Sequence, residues 1–356
     1  MTAPASPGTS PIRRIPVTLL TGFLGSGKTT VLRQLLRDPD WTDAAVLINE
    51  LGAVGLDHTL VWGASGTMHV LENGCICCSA RDDLVTTLED LFWSRLQRKI
   101  PRFNRVVIET TGLADPGPVI RELFSHALIA ERYFLESVVC TVDAVLGAGH
   151  LETHPESLAQ AASADVILLT KTDLAAPAAA LKLETRLREM NPLAAIERSV
   201  AGMARAELLA KPGSWSEPGL DARLRRRDQP RDSGAAGNGD GENPRFHRRV
   251  QSTVLRFTHP WERAGFEQAL RATIDAAGDQ LLRIKGLIAL DDDARPLVVQ
   301  VVQNMIFPFE SLPVQAAGAA QNFLVCIALG IASADLRRFF LDHLGVETSA
   351  NMLRRR

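Results

Sequence analysis

The segment Gly22-Phe23-Leu24-Gly25-Ser26-Gly27-Lys28-Thr29 decides the fold of the first half of this chain. It matches the pattern G-x-x-x-x-G-K-S/T, in which a glycine-rich loop wraps around phosphate groups. The β-prone run Val17–Leu20 precedes the loop, and the amphipathic stretch Thr30–Leu36 follows it. This order of strand, loop and helix is the context in which the motif binds phosphate. The sequence therefore predicts a site for a nucleoside triphosphate with Mg²⁺.

The residues of this loop have separate predicted roles. Its backbone N–H groups and the positive end of the following helix attract phosphate oxygens. We expect the side chain of Lys28 to reach the β- and γ-phosphates and the hydroxyl of Thr29 to ligate Mg²⁺. The other residues predicted to line the phosphate site are Gly22, Gly25, Ser26, Gly27 and Thr30.

Short apolar runs alternate with helical stretches between residues 15 and 210. Runs of this kind are typical of parallel strands buried on both faces, and their alternation with helices indicates an α/β sheet. The predicted fold class is a P-loop α/β domain with a mostly parallel sheet flanked by helices, followed by a smaller α+β C-terminal domain. The predicted strands of the first domain are Val17–Leu20, Ala45–Ile48, Arg105–Ile108, Ser137–Val142 and Val166–Leu169.

Composition divides the chain into five predicted segments. Residues 1–14 lack the apolar region of a secretory signal and are predicted to be disordered, and residues 15–210 form the first domain. Residues 211–249 have the Gly-rich, Arg-rich composition of a flexible linker. Residues 250–345 form the second domain and residues 346–356 a basic tail. In the second domain we predict strands at Ser252–Phe257, Leu281–Ala289 and Pro296–Val302, and helices at Arg263–Ala277 and Ala334–Leu344.

Charge and cysteine content exclude several classes of protein. The 356 residues carry a formal net charge of −2, which provides no field for nucleic acid or an acidic membrane. The apolar run Phe323–Ala332 is shorter than the ~18 residues of a transmembrane helix. Five cysteines, three of them within four residues, are no disulfide framework and indicate a reducing compartment. We expect a cytoplasmic protein without a membrane or nucleic-acid partner. A nucleic-acid role based on Arg225–Arg227 is the weakest of the alternative functions.

Glu109-Thr110-Thr111-Gly112 follows a predicted strand. A carboxylate at this strand end is suited to hold Mg²⁺, directly or through water, or to orient the attacking water. Gly112 lets the backbone approach the γ-phosphate. Asp115-Pro116 predicts the start of the next helix, with Asp115 as its cap.

Thr170-Lys171-Thr172-Asp173 follows the last predicted strand of the sheet. The carboxylate of Asp173 can accept hydrogen bonds from the ring N–H and the exocyclic amine of guanine, a donor pair that adenine lacks. The stem of Lys171 can lie flat against the base, with Thr170 beside it. The segment therefore favours GTP over ATP, and the alternative interpretation is a turn that caps the following helix.

Asn73-Gly74-Cys75-Ile76-Cys77-Cys78 is the most distinctive segment of the chain. Thiolates bind Zn²⁺ and other soft or borderline ions. We expect Cys75, Cys77 and Cys78 to supply two or three ligands and to need others, and the alternative is inert burial. Glu50, Asp57, His58 and His69 are candidates to complete the site, while His150 and His154 are poorer ones. Cys140 and Cys326 lie in apolar runs and are predicted to be core residues.

Read in order, these segments resemble the CobW-like family of P-loop GTPases, which are metal chaperones. The resemblance rests on Gly22–Thr30, Asn49-Glu50, the C-x-C-C cluster, Glu109–Pro116 and Thr170–Asp173, and Leu282–Leu287 resembles the R-x-K-G strand of the family. It implies a GTP hydrolase, slow without a partner, in which Lys28, Thr29 and Glu109 are catalytic. It also implies delivery of Zn²⁺, or of Co²⁺ or Fe²⁺, to a client metalloprotein.

The sequence departs from that family at three places and leaves alternatives open. Ala53 stands where a glutamate is common, and the linker lacks a His-rich tract. A third departure is that Val301-Val302-Gln303-Asn304 contains no histidine, whereas the C-terminal domain of the family often has histidines around this strand. A GTPase switch that gates cobalt or iron insertion without carrying the metal is one alternative. A small-molecule kinase is another, although the predicted preference for guanine argues against it. The segment Asn49–Asp57 is predicted to sense the γ-phosphate, and the oligomeric state is left open.

Overall fold

The computed structural model describes residues 14–48, 59–62, 68–71, 82–210, 224, 250–312 and 322–342, with only the backbone of 59–62, 68–71, 82, 83 and 210. Several predictions lie outside this description: the N-terminal segment before Arg14, the linker apart from Leu224, and the basic tail. The candidate metal residues outside it are Glu50, Asp57, His58, Cys75, Cys77 and Cys78. His69 lies in a described strand, but its side chain is outside the description.

The first domain is built on a sheet of eight strands in the order β4-β3-β2-β5-β1-β6-β7-β8. The six strands from β2 to β8 in that order are mutually parallel, and β3 and β4 are antiparallel additions at one edge. The strands are β1 (Ile15–Gly22), β2 (Ala44–Ile48), β3 (Thr59–Trp62), β4 (Met68–Leu71), β5 (Arg105–Glu109), β6 (Tyr133–Asp143), β7 (Val166–Thr170) and β8 (Ala195–Ser199).

Helices of the first domain connect these strands and pack on the sheet. They are α1 (Lys28–Leu35), α2 (Asp82–Leu96), α3 (Pro116–Ser125), α4 (Ala127–Arg132), α5 (Gly147–Thr153), α6 (Pro155–Ser163), α7 (Pro177–Met190) and α8 (Ala206–Ala210). Residues of the central strands are buried almost throughout because helices cover both faces of the sheet.

All five predicted strands of the first domain are confirmed. The antiparallel strands β3 and β4 and the edge strand β8 were not predicted, and for β8 the reason is visible in its sequence. Ala195–Ser199 is only partly buried and contains Glu197 and Arg198, so it lacks the apolar run that marks a buried strand.

The second domain is an antiparallel sheet, in the order β12-β11-β10-β14-β9 with β13 paired to β11, packed against two helices. Arg263–Ala277 forms a helix with the predicted bounds. The inner strand β14 was not predicted, because a continuous apolar run does not by itself identify a strand. The elements are β9 (Val250–Arg256), α9 (Arg263–Ala277), β10 (Leu281–Leu290), β11 (Asp293–Val302), β12 (Met305–Ile306), β13 (Glu310–Ser311), β14 (Phe323–Leu329) and α10 (Ser333–Leu341).

The two domains share buried contacts. Arg283 on β10 donates hydrogen bonds to the carbonyl of Ser163 and to Asp165, and Lys285 donates to the same carboxylate. Burial by itself raises the pKa of Asp165, but the two cations and a hydrogen bond from the Val138 N–H outweigh burial and lower that pKa. The second domain is therefore joined to the strand β7 side of the first by a buried ionic cluster.

An apolar cluster reinforces this interface. Ala159 and Ala162 of α6 pack with Leu282 and Val325 of the second sheet. Leu224 belongs to the same cluster and is fully buried. This position lies within the predicted linker, so at Leu224 the chain is part of the interdomain core rather than a solvated spacer.

Candidate functional site

The glycine-rich loop connects β1 to α1 at the carboxyl edge of the parallel sheet. Gly27 caps α1 in the left-handed conformation, with φ 98°. A Cβ at Gly22 would lie 2.3 Å from Thr141 Oγ1 and 2.8 Å from Ser26 Oγ, so only glycine fits there. The predicted strand, loop and helix arrangement is present, and the backbone of the loop is suited to surround an anion.

Neighbouring strand ends hold this loop in place. Ser26 Oγ hydrogen bonds to Thr141 Oγ1 at 2.6 Å, and Thr170 Oγ1 donates to the carbonyl of Ser26 at 2.7 Å. Lys28 Nζ donates to the carbonyls of Gly22 at 2.8 Å and Phe23 at 3.3 Å. Thr141 was missed by the sequence analysis, because a threonine at the end of an apolar strand has no distinguishing pattern. The loop is preorganised by β6 and β7.

The two predicted Mg²⁺ residues meet. Thr29 Oγ1 donates a hydrogen bond to Glu109 Oε1 at 2.7 Å, and Glu109 is 5% exposed at the end of β5. Strand pairing explains the contact, since Leu20 of β1 is in register with Glu109. A hydroxyl and a carboxylate beside a phosphate loop are the oxygen donors that Mg²⁺ prefers. The residues present therefore fit that ion.

The segment after Glu109 lies against the glycine-rich loop. A Cβ at Gly112 would lie 2.5 Å from Leu24 Cδ2 and 2.7 Å from Leu24 N, so the backbones of the two loops are in close contact. Gln160 Nε2 on α6 donates to the carbonyls of Gly112 at 3.1 Å and Ala114 at 2.9 Å. Gln160 is fully buried, and its role is not evident from sequence because glutamine has no recognisable spacing to this loop.

Helix α3 begins where the sequence predicts. Asp115 Oδ1 accepts a hydrogen bond from the Gly117 N–H at 2.9 Å, and Pro116 occupies the first turn. Burial raises the pKa of Asp115, partly offset by hydrogen bonds from Gly117 and Gln303. The cap fixes the far end of the 109–115 segment.

The predicted base-reading segment forms a turn after β7. Lys171 has φ 55°, and its Nζ lies 2.6 Å from Asp143 Oδ2. Asp143 also accepts hydrogen bonds from the N–H groups of Val145 and Leu146. Burial raises the pKa of Asp143, but Lys171 and these two donors outweigh it and lower that pKa. Asp173 is exposed.

The alternative interpretation of this segment, as a cap for the following helix, is wrong. Helix α7 begins at Pro177, and its N-cap is Ala176 without a side-chain cap hydrogen bond. The end of β8 and the loop after it lie near the same turn. Thr172 Oγ1 and the carbonyl of Ser199, the last residue of β8, are 3.5 Å apart, and Gln34 Nε2 of α1 donates to the Ala201 carbonyl in the loop. This loop, also missed from sequence, borders the predicted base site.

Two histidines contact the glycine-rich loop. The ring of Phe23 lies 4.6 Å from that of His150 and 4.4 Å from that of His154, measured between centroids. His154 lies between α5 and α6, so the pair is not on one continuous helix. In the part of the chain that the structure describes, no three His, Cys, Asp or Glu side chains are grouped to hold a metal.

Cys140 and Cys326 are buried core residues, as the sequence predicts. Burial raises the pKa of each thiol to about 12. Both thiols lie in apolar clusters, and among the described residues neither belongs to a group of side chains that could hold a metal. No helix among the described residues has the length and apolar character needed to cross a membrane.

Residues 16–198 match the family described as CobW/HypB/UreG, nucleotide-binding domain, and residues 250–344 match the cobalamin synthesis protein cobW C-terminal domain. The chain belongs to the CobW/HypB/UreG family. The predicted family resemblance is thereby confirmed for both domains. The roles assigned to individual residues of the site stay predictions.

Similar proteins of the CobW/HypB/UreG family include two zinc chaperones. YjiA of Escherichia coli strain K12 is 35% identical over 297 residues, covering 82% of this chain and 87% of YjiA. CobW of a Sinorhizobium species is 30% identical over 319 residues, covering 81% and 85% of the two chains. The crystal structure of Zn(II)-bound YjiA GTPase superposes with a TM-score of 0.65 at 31% identity, covering 93% of this chain and 99% of that one. The predicted fold class is confirmed.

Proposed function

We propose that this chain is a Mg²⁺-dependent GTPase that carries zinc and transfers it to a client metalloprotein, with metal affinity set by the bound nucleotide. The observation that carries the proposal is the contact between Thr29 and Glu109 beside the glycine-rich loop. It occurs in a chain 35% identical to a protein named as a zinc chaperone.

At the nucleotide end, each residue has an assigned task. Lys28 and the loop N–H groups bind the phosphates, and Thr29 and Glu109 hold Mg²⁺, which neutralises phosphate charge when bound. Glu109 also orients the attacking water. Asp173 accepts hydrogen bonds from guanine, and Lys171 lies against the base. Asp143 supports this task by accepting a hydrogen bond from Lys171 Nζ.

At the metal end, we assign zinc to Cys75, Cys77 and Cys78, with further ligands from Glu50, Asp57, His58 or His69. Reduced thiols of this kind persist in the cytoplasm, where we place the protein. The cysteine segment lies in sequence between the predicted γ-phosphate sensor and Glu109. A metal site there changes its geometry when hydrolysis relaxes the sensor, so hydrolysis weakens the hold on zinc.

The test is zinc affinity, measured by competition with a chromophoric chelator in three states: GTP analogue with Mg²⁺, GDP with Mg²⁺, and no nucleotide. We expect at least a tenfold shift between the two nucleotide states, about 1.4 kcal/mol of coupling. The variant Cys75→Ala/Cys77→Ala/Cys78→Ala is expected to lose this tight binding. Cys326→Ala, which removes a buried thiol of the second sheet, is the matched control.

Affinity is the necessary readout, rather than the presence of zinc. A YjiA variant in which one glutamate and two cysteines are replaced by alanine was also solved Zn(II)-bound, and it is 29% identical to this chain. Bound metal alone therefore does not identify the ligands. If affinity is weak or the same with both nucleotides, the carrier role fails and a GTPase switch that gates metal insertion takes its place.

A further inference from the structure

The second domain contacts the segment that follows Glu109. Gln303, in the turn between β11 and β12, has φ 50° and donates a hydrogen bond from Nε2 to Asp115 Oδ2 at 3.1 Å. Its backbone N–H donates to the carbonyl of Leu282, which anchors the turn on the second sheet. The backbone of Gln303 is therefore held by the second domain, while its side chain is buried against the first domain.

Helix α3 is shaped to receive this side chain. A Cβ at Gly117 would lie 2.2 Å from Gln303 Cδ and 2.3 Å from Nε2, so the amide occupies the space that any larger residue would fill. The two carboxylate oxygens of Asp115 accept hydrogen bonds from different domains. Oδ1 accepts from the Gly117 N–H of its own helix, and Oδ2 accepts from Gln303 of the second domain. The helix cap thus depends on both domains.

The same segment is supported from its other side by Gln160, which holds the carbonyls of Gly112 and Ala114. Gln160 lies on α6, and the end of α6 is bound by Arg283 through the carbonyl of Ser163. The second domain therefore contacts both supports of the 109–115 segment, directly at Asp115 and indirectly through α6.

We propose, on the basis of the GTPase activity inferred above, that Gln303 is a positioning residue for GTP hydrolysis. By fixing Asp115 and the start of α3, it sets the place of the 109–115 segment beside the phosphates. A displacement of about 1 Å at a reacting centre costs on the order of 100-fold in rate. The second domain therefore contributes to the rate of hydrolysis through its contact with Asp115.

The experiment measures kcat and KM for GTP and the affinity for GDP in full-length chains. Gln303→Ala is expected to lower kcat about tenfold, with KM and GDP affinity within twofold of wild type, because the glycine-rich loop and base site are untouched. Gly117→Ala is expected to act similarly, because its methyl group displaces the amide. The double variant is expected to lose no more than either single variant, as for residues that act through one contact.

Gln303→Glu adds a readout that a purely structural role would not move. At neutral pH the introduced carboxylate faces Asp115 and repels it, so the loss in kcat is expected to match or exceed that of Gln303→Ala. As pH falls, one of the two carboxyls takes up a proton and can donate again. The kcat of this variant, relative to wild type at the same pH, is therefore expected to recover toward pH 5.

Asn304→Ala is the matched control, because Asn304 is the exposed neighbour of Gln303 in the same turn, and wild-type kcat is expected. If the wild type hydrolyses GTP and Gln303→Ala has the same kcat, the positioning role is overturned while the proposed function stands. Parallel losses of kcat, GDP affinity and thermal stability in all variants would also overturn it, since they indicate a general packing role. Absence of GTP hydrolysis in the wild type would instead overturn the proposed function, and the positioning role with it.

Discussion

Thr29 and Glu109 are 80 residues apart in sequence, and their side chains meet at 2.7 Å between Oγ1 and Oε1. Parallel pairing of β1 with β5 produces this contact, because the two strands end at the same edge of the sheet. The hydroxyl follows the glycine-rich loop and the carboxylate follows β5. Every nucleotide-dependent property proposed for this chain depends on that edge.

Removal of either partner is expected to slow Mg²⁺-supported hydrolysis strongly. Thr29→Ala and Glu109→Gln should each lower kcat about 100-fold, a typical cost for one lost electrostatic contact in a transition state. The measurement is phosphate release as a function of Mg²⁺ concentration. Thr29→Ser keeps the hydroxyl and is the control, for which near wild-type rates are expected. Full activity in Glu109→Gln would contradict a role of the Glu109 carboxylate in hydrolysis.

Substitution of Asp173 is expected to change base preference. Asp173→Asn replaces two acceptor oxygens by one acceptor and one donor, so GTP affinity should fall by about 1.5–3 kcal/mol, the usual value for a hydrogen bond to a charged group. Xanthosine triphosphate, which carries a carbonyl in place of the exocyclic amine, should bind the variant better than the wild type. Competition against a fluorescent GDP measures both. Equal competition by ATP in the wild type would contradict guanine selectivity and revive the kinase alternative.

The interdomain ion cluster makes a prediction for stability. Asp165→Asn leaves Arg283 and Lys285 buried without their counter-charge, which costs about 3–5 kcal/mol in the free energy of unfolding. Urea unfolding at pH 7 measures it. Asp292→Asn removes an exposed carboxylate that pairs with Arg263 and is the control, for which little change is expected.

The same carboxylate predicts a pH dependence. The pKa of Asp165 in the folded chain is lowered from its usual value of 3.8. Its stabilising contribution is therefore complete above that usual value and is lost as pH falls through the lower, folded pKa. Urea midpoints of wild type and Asp165→Asn should converge as pH drops below about 4. A difference that stays constant down to pH 2 would contradict a charged Asp165.

Cys140 and Cys326 are expected to resist alkylation in the native protein. Cys140 and Cys326 are buried, and burial raises the pKa of both thiols to about 12, so almost no thiolate is present at pH 8. Iodoacetamide at pH 8 should leave these two unmodified in the native protein and label them only in denaturant. Peptide mapping by mass spectrometry distinguishes the positions. Rapid native labelling of Cys140 would contradict its place in the core.

Much of the fold follows from local pattern. The strands β1, β2, β5, β6 and β7 are apolar runs buried on both faces, and the loop between β1 and α1 has its own glycine signature. The start of α3 at Pro116 was predicted because a capping aspartate and a proline act within one turn. The helix Arg263–Ala277 was predicted because Phe266, Leu270 and Ile274 repeat at helical spacing on a buried face.

Elements without such a pattern were missed. Strand β8 is a partly buried edge with charged residues. The β14 segment is a continuous apolar run, and such a run by itself does not distinguish a buried strand from other apolar segments. Its position inside the second sheet becomes clear only when β9 and β10 are placed on either side of it.

The sequence by itself determined the family, the phosphate loop, the turn after β7 and the cysteine cluster, because each of these is encoded by residues adjacent in the chain. Only the tertiary structure decided which polar side chains support them. Thr141 meets Ser26 across 115 residues, Gln160 meets Gly112 across 48, and Gln303 meets Asp115 across 188. A threonine or glutamine carries no local signal of its partner, because a hydrogen bond depends on where packing places two groups and not on their separation along the chain.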